Sequence, residues 1–271
     1  MRILFIGDIM GRSGREALER YLPELKEKLT PDVIIVNGEN AAHGRGITEK
    51  FCMQFYELGA DVITTGNHVW DQREILKYIT RDPKLLRPAN YPKKTTPGQG
   101  LYLHETMDGQ KILVVNLMCR TFMDVLDDPF AAMEEILEEY RLGRNCQAIF
   151  VDLHGETTSE KMAFGHHFSG RVSAVIGTHT HIPTADAHVM NGQTAYMTDA
   201  GMSGDYDSVI GVKKHTAIHR FTHKTPGEHF IPASENMMLC GALVVTRPSG
   251  KASAIAPVRI GDVLTETMPD I

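Results

Sequence analysis

Five short apolar runs in this chain each end in a polar cluster of metal-ligand type. Ile3–Ile6 leads into Gly7-Asp8, Val33–Val36 into Asn37-Gly38-Glu39-Asn40, and Val62–Thr65 into Gly66-Asn67-His68. Ile149–Leu153 leads into His154, and Val172–Ile176 into Gly177-Thr178-His179-Thr180-His181. A short apolar run with β-branched residues, closed by glycine, reads as a buried strand. Ligands of open α/β sheets bind beyond the carboxyl ends of the strands. Carboxylates, amides and imidazoles spread along the chain are therefore expected to meet at one site. That mixture suits a two-metal hydrolase.

The chain has 271 residues, 42% of them hydrophobic, which is enough for one large α/β domain. The formal net charge is −6 and no run of Lys or Arg stands out. A nonspecific nucleic-acid groove is not indicated, although a local positive site stays open. Cys52, Cys119, Cys146 and Cys240 lie far apart, with no Cys-x-x-Cys pair. They are expected to be free thiols packing as small apolar residues in a reducing compartment. Only a four-residue apolar run precedes Gly7, and no stretch is long enough to span a bilayer. A soluble, cytoplasmic protein with no membrane partner is expected.

The first 80 residues alternate strand and helix, which argues for parallel strands with crossover helices. Ser13 stands where a helix cap is expected, before an apolar face of Leu18, Tyr21, Leu22, Leu25 and Leu29 that Pro23 should kink or break. Thr48 is expected to cap a second helix with Phe51, Phe55 and Leu58 on one face, and Asp71 a third with Ile75, Leu76 and Ile79 inward. Residues 87–100 read as an ordered loop, Ile112–Leu117 as a strand and Pro129–Leu142 as a helix. Ala187–Met190 and Thr194–Met197, split by Asn191-Gly192, read as a hairpin. Leu239–Thr246 and Ala252–Ile260 read as a closing antiparallel pair. Ser203–Met238 has little apolar periodicity and many Gly, His and Lys residues. One domain over 1–271 is expected, with 203–238 as a small cap excursion over the site.

Two divalent ions about 3.5–4 Å apart can hold a bridging hydroxide and clamp both oxygens of an in-line displacement at phosphorus. Such a pair needs one bridging carboxylate, and Glu39 is the candidate; Asp8, on the neighbouring strand, can bind one ion only. Asn67 gives a neutral amide oxygen, and Asn40 is the candidate for a further one beside Glu39. His154, His179 and His181 give imidazole nitrogens. In an extended His-x-His, side chains two apart point the same way, so one His can serve each metal. Two divalent ions bring +4 while Asp8 and Glu39 bring −2, which favours an anionic substrate. The mixed N/O set suits Mn, Fe or Zn better than Ca, and the absence of thiolate weakens a structural-zinc reading.

These clusters, in this order and each at a strand end, resemble the calcineurin-like metallophosphoesterase pattern. Asn37-Gly38-Glu39-Asn40-Ala41-Ala42-His43-Gly44, Arg87-Pro88-Ala89-Asn90 and Thr198-Asp199-Ala200-Gly201-Met202 are similar to the YmdB-like branch of that superfamily. The resemblance covers nearly the whole chain. It implies an α/β fold, a sandwich of two β-sheets flanked by helices, with a two-metal centre. It also implies phosphodiesterase activity on cyclic nucleotides, 2′,3′-cyclic AMP and 3′,5′-cyclic AMP among them, with RNA-derived diesters and a homo-oligomer as further expectations. Two departures from the wider superfamily stand out. The usual Asp-x-His is Asp8-Ile9-Met10 here, and a thioether is a poor ligand for a hard ion. The second motif carries Glu39 rather than Asp, and within the branch Asn40 is expected to replace the missing His. The resemblance also implies that His68, after the Asn67 ligand, is not itself a ligand but the proton donor to the leaving oxygen. An imidazole with a pKa near ~6.5 can do that at neutral pH.

Any one of these residues alone would say little: a lone Asp at a strand end is more often a helix cap or turn former. Of the 13 His residues, His104, His188, His215, His219, His223 and His229 read as structural or surface. His166 and His167 read as a plain loop, and His43, with Arg45, as a loop near substrate. Gly7-Asp8-Ile9-Met10-Gly11-Arg12-Ser13-Gly14 is a near miss to a phosphate-binding loop. It fails the dinucleotide spacing and has Arg12 where a P-loop needs Lys. A phosphomonoesterase or nucleotidase, and a regulatory cyclic-nucleotide-binding protein, are the alternative readings. The presence of His68 argues against mere binding, which needs no proton donor.

Overall fold

In the first strand Ile3 and Phe5 face one way and Leu4 and Ile6 the other, and all four are fully buried. Alternating side chains buried on both faces require a layer on each side of the sheet. The computed structural model, which describes residues 1–271, supplies both.

In chain order the elements are β1 (Arg2–Ile6), α1 (Gly11–Leu29), β2 (Val33–Asn37), α2 (Glu49–Leu58), β3 (Val62–Thr64), α3 (Ile75–Tyr78), β4 (Leu101–Glu105) and β5 (Lys111–Met118). There follow α4 (Pro129–Glu139), β6 (Ala148–His154), α5 (Thr158–Phe168), β7 (Ala174–Thr178), β8 (His188–Met190), β9 (Thr194–Met197), α6 (Lys214–Thr222), β10 (Met238–Thr246) and β11 (Ala252–Gly261). One sheet has the order β11-β10-β1-β2-β3, the other β4-β5-β6-β7-β9-β8. β1, β2 and β3 are parallel neighbours, as are β5, β6, β7 and β9.

Ile3, Phe5, Val33 and Ile35 of the first sheet pack against Val114, Phe150, Ala174 and Ile176 of the second. The Phe5 and Phe150 rings lie 5.1 Å apart at the centre of this layer. Leu4 and Ile6 pack outward on Leu18, Leu22 and Phe55 of α1 and α2, while Ile149 and Val151 pack outward on Met133, Phe164 and Phe168 of α4 and α5. The result is a sandwich of two sheets flanked by helices. The carboxyl ends of β1, β2, β3, β6 and β7 converge, so the site draws on both sheets.

Thr48 caps α2 by accepting from the Phe51 N–H at 3.4 Å, and the hairpin and closing pair form as expected. All four cysteines are buried and free. Other expectations need correction. Helix α1 starts at Gly11 behind Met10, and the Ser13 hydroxyl donates to the Ala233 carbonyl at 3.2 Å instead of capping. α1 also runs through Pro23. Pro23 and Glu19 are both exposed, so the missing helix bond falls on the outer face while the leucine face stays packed. Asp71 does not cap α3, which begins after Glu74; it faces His68 instead. His166 and His167 lie in the last turn of α5 rather than in a loop. No helix is long and apolar enough to cross a membrane.

Candidate metal centre

Three imidazoles converge at the strand ends, each with one ring nitrogen held from outside. His154 Nδ1 lies 2.9 Å from the Thr178 hydroxyl, which itself donates to Asp152 Oδ1 at 2.7 Å. A hydroxyl that donates to a carboxylate accepts from the ring, so Nδ1 carries a hydrogen and Nε2 faces the site. His179 Nε2 lies 3.2 Å from Glu156 Oε2, which turns Nδ1 inward. His181 donates from Nδ1 to the Ile210 carbonyl at 2.8 Å, which leaves Nε2 inward.

The inward atoms are close together. Glu39 Oε1 lies 3.3 Å from His154 Nε2 and 3.1 Å from Asn40 Nδ2. Asn67 Oδ1 lies 3.0 Å from His154 Nε2, and His179 Nδ1 lies 3.1 Å from the same nitrogen. On the other side of Glu39, His181 Nε2 lies 3.0 Å from Asn40 Nδ2 and 4.0 Å from Asp8 Oδ2. Glu39, His154 and His179 thus form one compact group, and Asp8, Asn40 and His181 adjoin it. Two buried oxygens in this cluster, Asp8 Oδ1 and Asn40 Oδ1, have no hydrogen-bond partner. Orphaned buried oxygens are costly unless a cation or water meets them. Gly66 leaves the space open: a Cβ there would collide with Glu39 Oε2 and His154 Nε2.

Burial pulls His154 down, but Glu39, Asp8 and Asp152 outweigh it and raise its pKa to about 9. Burial and the adjacent His154 push His179 down to about 3, and burial also lowers His181. Burial raises Asp8 well above the usual carboxylate range. Burial acts the same way on Glu39, but His154, His68 and His179 outweigh it and hold Glu39 below that range. A set of two carboxylates, two amide oxygens and three inward imidazole nitrogens, buried except for half-buried Asn67 and His179, fits divalent cations that take mixed N/O ligands.

The supports come from both sheets. Val33, Ile35 and Asn37 share a face of β2, as Phe150, Asp152 and His154 do on β6, so the polar pattern continues the core layer. Asp152 Oδ2 accepts from Asn37 Nδ2 at 2.9 Å and from the Thr64 hydroxyl at 2.5 Å, tying the first sheet to the second. The His179–His181 turn departs from the extended His-x-His expectation: β7 ends at Thr178, and His179 and His181 have φ of 100° and 67°. Left-handed backbone at a non-glycine residue is strained and needs fixing. The His179 N–H donates to Asp8 Oδ2 at 2.9 Å, and the Thr180 N–H to Asp199 Oδ2 at 3.0 Å. Lys161, wholly buried, reaches the Thr178 carbonyl at 2.7 Å and Asp199 at 3.1 Å. Asp152, Lys161 and the supporting role of Asp199 escape the motif reading. An Asp inside an apolar strand and a Lys on an apolar helix are their only signals.

A cavity of about 410 Å³ opens over this cluster, lined by Glu39, Asn40, His43, Arg45, His68 and His179 among others. Ile210, Val212, Phe230 and Pro232, all between residues 203 and 238, line its far side. His68 faces Asp71, with Nδ1 3.0 Å from Oδ2. Met10 also lines the cavity.

The family model described as YmdB-like protein matches residues 4–258. A 2′,3′-cyclic-nucleotide 2′-phosphodiesterase from Bacillus subtilis (strain 168) is 44% identical over 263 residues, covering 97% of this chain and 98% of that protein. A crystal structure of a hypothetical protein from Thermus thermophilus is similar with a TM-score of 0.89 at 40% identity, over 97% of this chain and 100% of that one. A crystal structure described as a novel phosphatase from Mycoplasma pneumoniae also has a TM-score of 0.89, at 34% identity, over 96% of this chain and 93% of that one.

Proposed function

The chain belongs to the YmdB-like protein family, and on that premise we propose that it is a phosphodiesterase that uses two divalent cations to open 2′,3′-cyclic nucleotides. Its sandwich is the metallophosphoesterase fold. One observation carries the reading: three imidazoles pinned from outside present their free nitrogens beside Glu39, Asp8 and Asn40, and Asp8 Oδ1 and Asn40 Oδ1 are buried without a hydrogen-bond partner. Glu39, Asn67, His154 and His179 would hold one ion, and Asp8, Glu39, Asn40 and His181 the other. When bound, the ions supply positive charge for the phosphoryl oxygens and lower the pKa of a water.

The chain's own residues do the rest. Thr178, Glu156 and the Ile210 carbonyl fix which nitrogen each imidazole presents. Asp71 fixes Nδ1 of His68, which leaves Nε2 to protonate the leaving ribose oxygen. His43 and Arg45 border the same cavity and stand ready to meet the negative charge of the diester. The name of the Bacillus subtilis relative supports this substrate class, and the description of the Mycoplasma pneumoniae structure as a phosphatase keeps a phosphomonoesterase as the second reading. Turnover of bis(p-nitrophenyl) phosphate with added Mn²⁺ tests the assignment. Release of nitrophenol that stops on chelation is expected, and no release from metal-loaded protein would contradict it.

A further inference from the structure

A second cavity, of about 530 Å³, lies against the segment 216–230, and of its lining only Arg45 enters the reaction described above. Arg45, His219, Arg220, His223, His229 and Phe230 line it. Arg45 and Phe230 also line the cavity over the metal centre, so the two adjoin. The guanidiniums that pair with carboxylates in this protein belong to Arg12, Arg81, Arg120 and Arg171; those of Arg45 and Arg220 do not pair. The cavity's one carboxylate, Glu228, faces His215 at 3.5 Å. In a chain of net charge −6 this is a local positive site.

It also offers flat surfaces. The His219 and His223 rings are stacked with centroids 4.3 Å apart and planes 3° apart. The Arg220 guanidinium lies 5.1 Å from the Phe230 ring centroid. Cations beside flat rings are the chemistry that holds the phosphate and base of single-stranded nucleic acid.

A 2′,3′-cyclic phosphate needs both ribose hydroxyls, so on a strand it forms at the 3′ end of RNA. The sugar that bears it carries the next phosphate on its O5′. We infer that the second cavity receives this next phosphate and its nucleotide, so that the substrate is an RNA 3′ end closed as a 2′,3′-cyclic phosphate. The inference rests on the phosphodiesterase reading and adds the strand to it. In the reaction water adds to phosphorus and one bond from phosphorus to a ribose oxygen breaks. That oxygen leaves as a hydroxyl and the strand keeps a terminal monophosphate.

The test compares kcat/KM for 2′,3′-cyclic AMP and for a trinucleotide ending in a 2′,3′-cyclic phosphate, on Mn²⁺-loaded wild type and Arg220→Ala. Wild type is expected to prefer the trinucleotide by about tenfold or more, the scale of one charge-assisted phosphate contact. The preference should weaken as salt rises. Arg220→Ala should lose it while keeping its rate on 2′,3′-cyclic AMP. Equal kcat/KM on both substrates in wild type, or equal losses on both in Arg220→Ala, would overturn the RNA-end inference and leave the phosphodiesterase reading standing. No hydrolysis of 2′,3′-cyclic AMP by wild type would overturn both.

Discussion

His154 Nε2 and His179 Nδ1 point at each other across 3.1 Å, beside Glu39. Neighbouring carboxylates raise His154 to about 9, while burial and His154 lower His179 to about 3, and Glu39 and Asn67 lie against the same His154 nitrogen. A divalent cation among these atoms would meet their lone pairs and the carboxylate charge at once. Metal-stripped protein should therefore gain stability on titration with Mn²⁺ or Zn²⁺, by about 2.7 kcal/mol at a hundredfold excess over Kd. Thermal melts read this as a rise in Tm of several degrees. An unchanged Tm at saturating metal would contradict the assignment.

Glu39 touches both halves of the cluster, through His154 on one side and Asn40 on the other. Glu39→Gln keeps the shape and removes the charge, so both ions lose an anionic ligand. Elemental analysis of purified protein should find both metals depleted. Two metals per chain at wild-type affinity would remove Glu39 from the bridging position.

His68 lines the cavity but is paired with Asp71 rather than with the imidazole cluster. His68→Ala should keep both metals and lose turnover by roughly 10²–10⁴-fold on substrates with poor leaving groups. Nitrophenolate needs little protonation, so the loss on a nitrophenyl ester should be much smaller. Equal losses on both would speak against a proton donor at this position.

Lys161 and Asp199 form an ion pair with no solvent exposure, under the strained His179–His181 turn. Lys161→Met leaves Asp199 buried with two backbone donors, from Thr180 and Gly201, and no cation. A cost of about 3–5 kcal/mol is expected for breaking such a pair. Urea unfolding should show the midpoint falling with the slope unchanged. A shift below about 1 kcal/mol, the scale of an exposed pair, would mean that water enters the site.

The strand ends and their clusters are legible in the sequence because each apolar run is short, β-branched and closed by a polar group. Positions two apart share a face, so Phe150, Asp152 and His154 carry the inter-sheet layer straight into the site. The ends of elements are less legible. Ser13 looks like a cap, yet Met10 precedes the helix, because the loop after Asp8 is held by backbone bonds from Met10 to Ser203 and from Gly11 to Asn40. The left-handed backbone at His179 and His181 has no glycine to announce it; it is held by Asp8 and Asp199, 171 and 19 residues away from their N–H partners. Asp152 and Lys161 have partners on other strands and loops, and no local pattern encodes a long-range hydrogen bond.

The central claim is a preference for diesters. A cyclic diester carries one negative charge and a monoester about two near neutral pH, so a centre holding two divalent cations would by itself favour the monoester. On the proposed reading, preference for the diester would come from shape and from His68 acting at the leaving ribose oxygen. The direct measurement is kcat/KM for 2′,3′-cyclic AMP and for AMP on one Mn²⁺-loaded preparation, reading nucleotide product from the first and phosphate from the second. The higher value is expected for 2′,3′-cyclic AMP; a higher value for AMP would make this chain a nucleotidase and contradict the phosphodiesterase assignment.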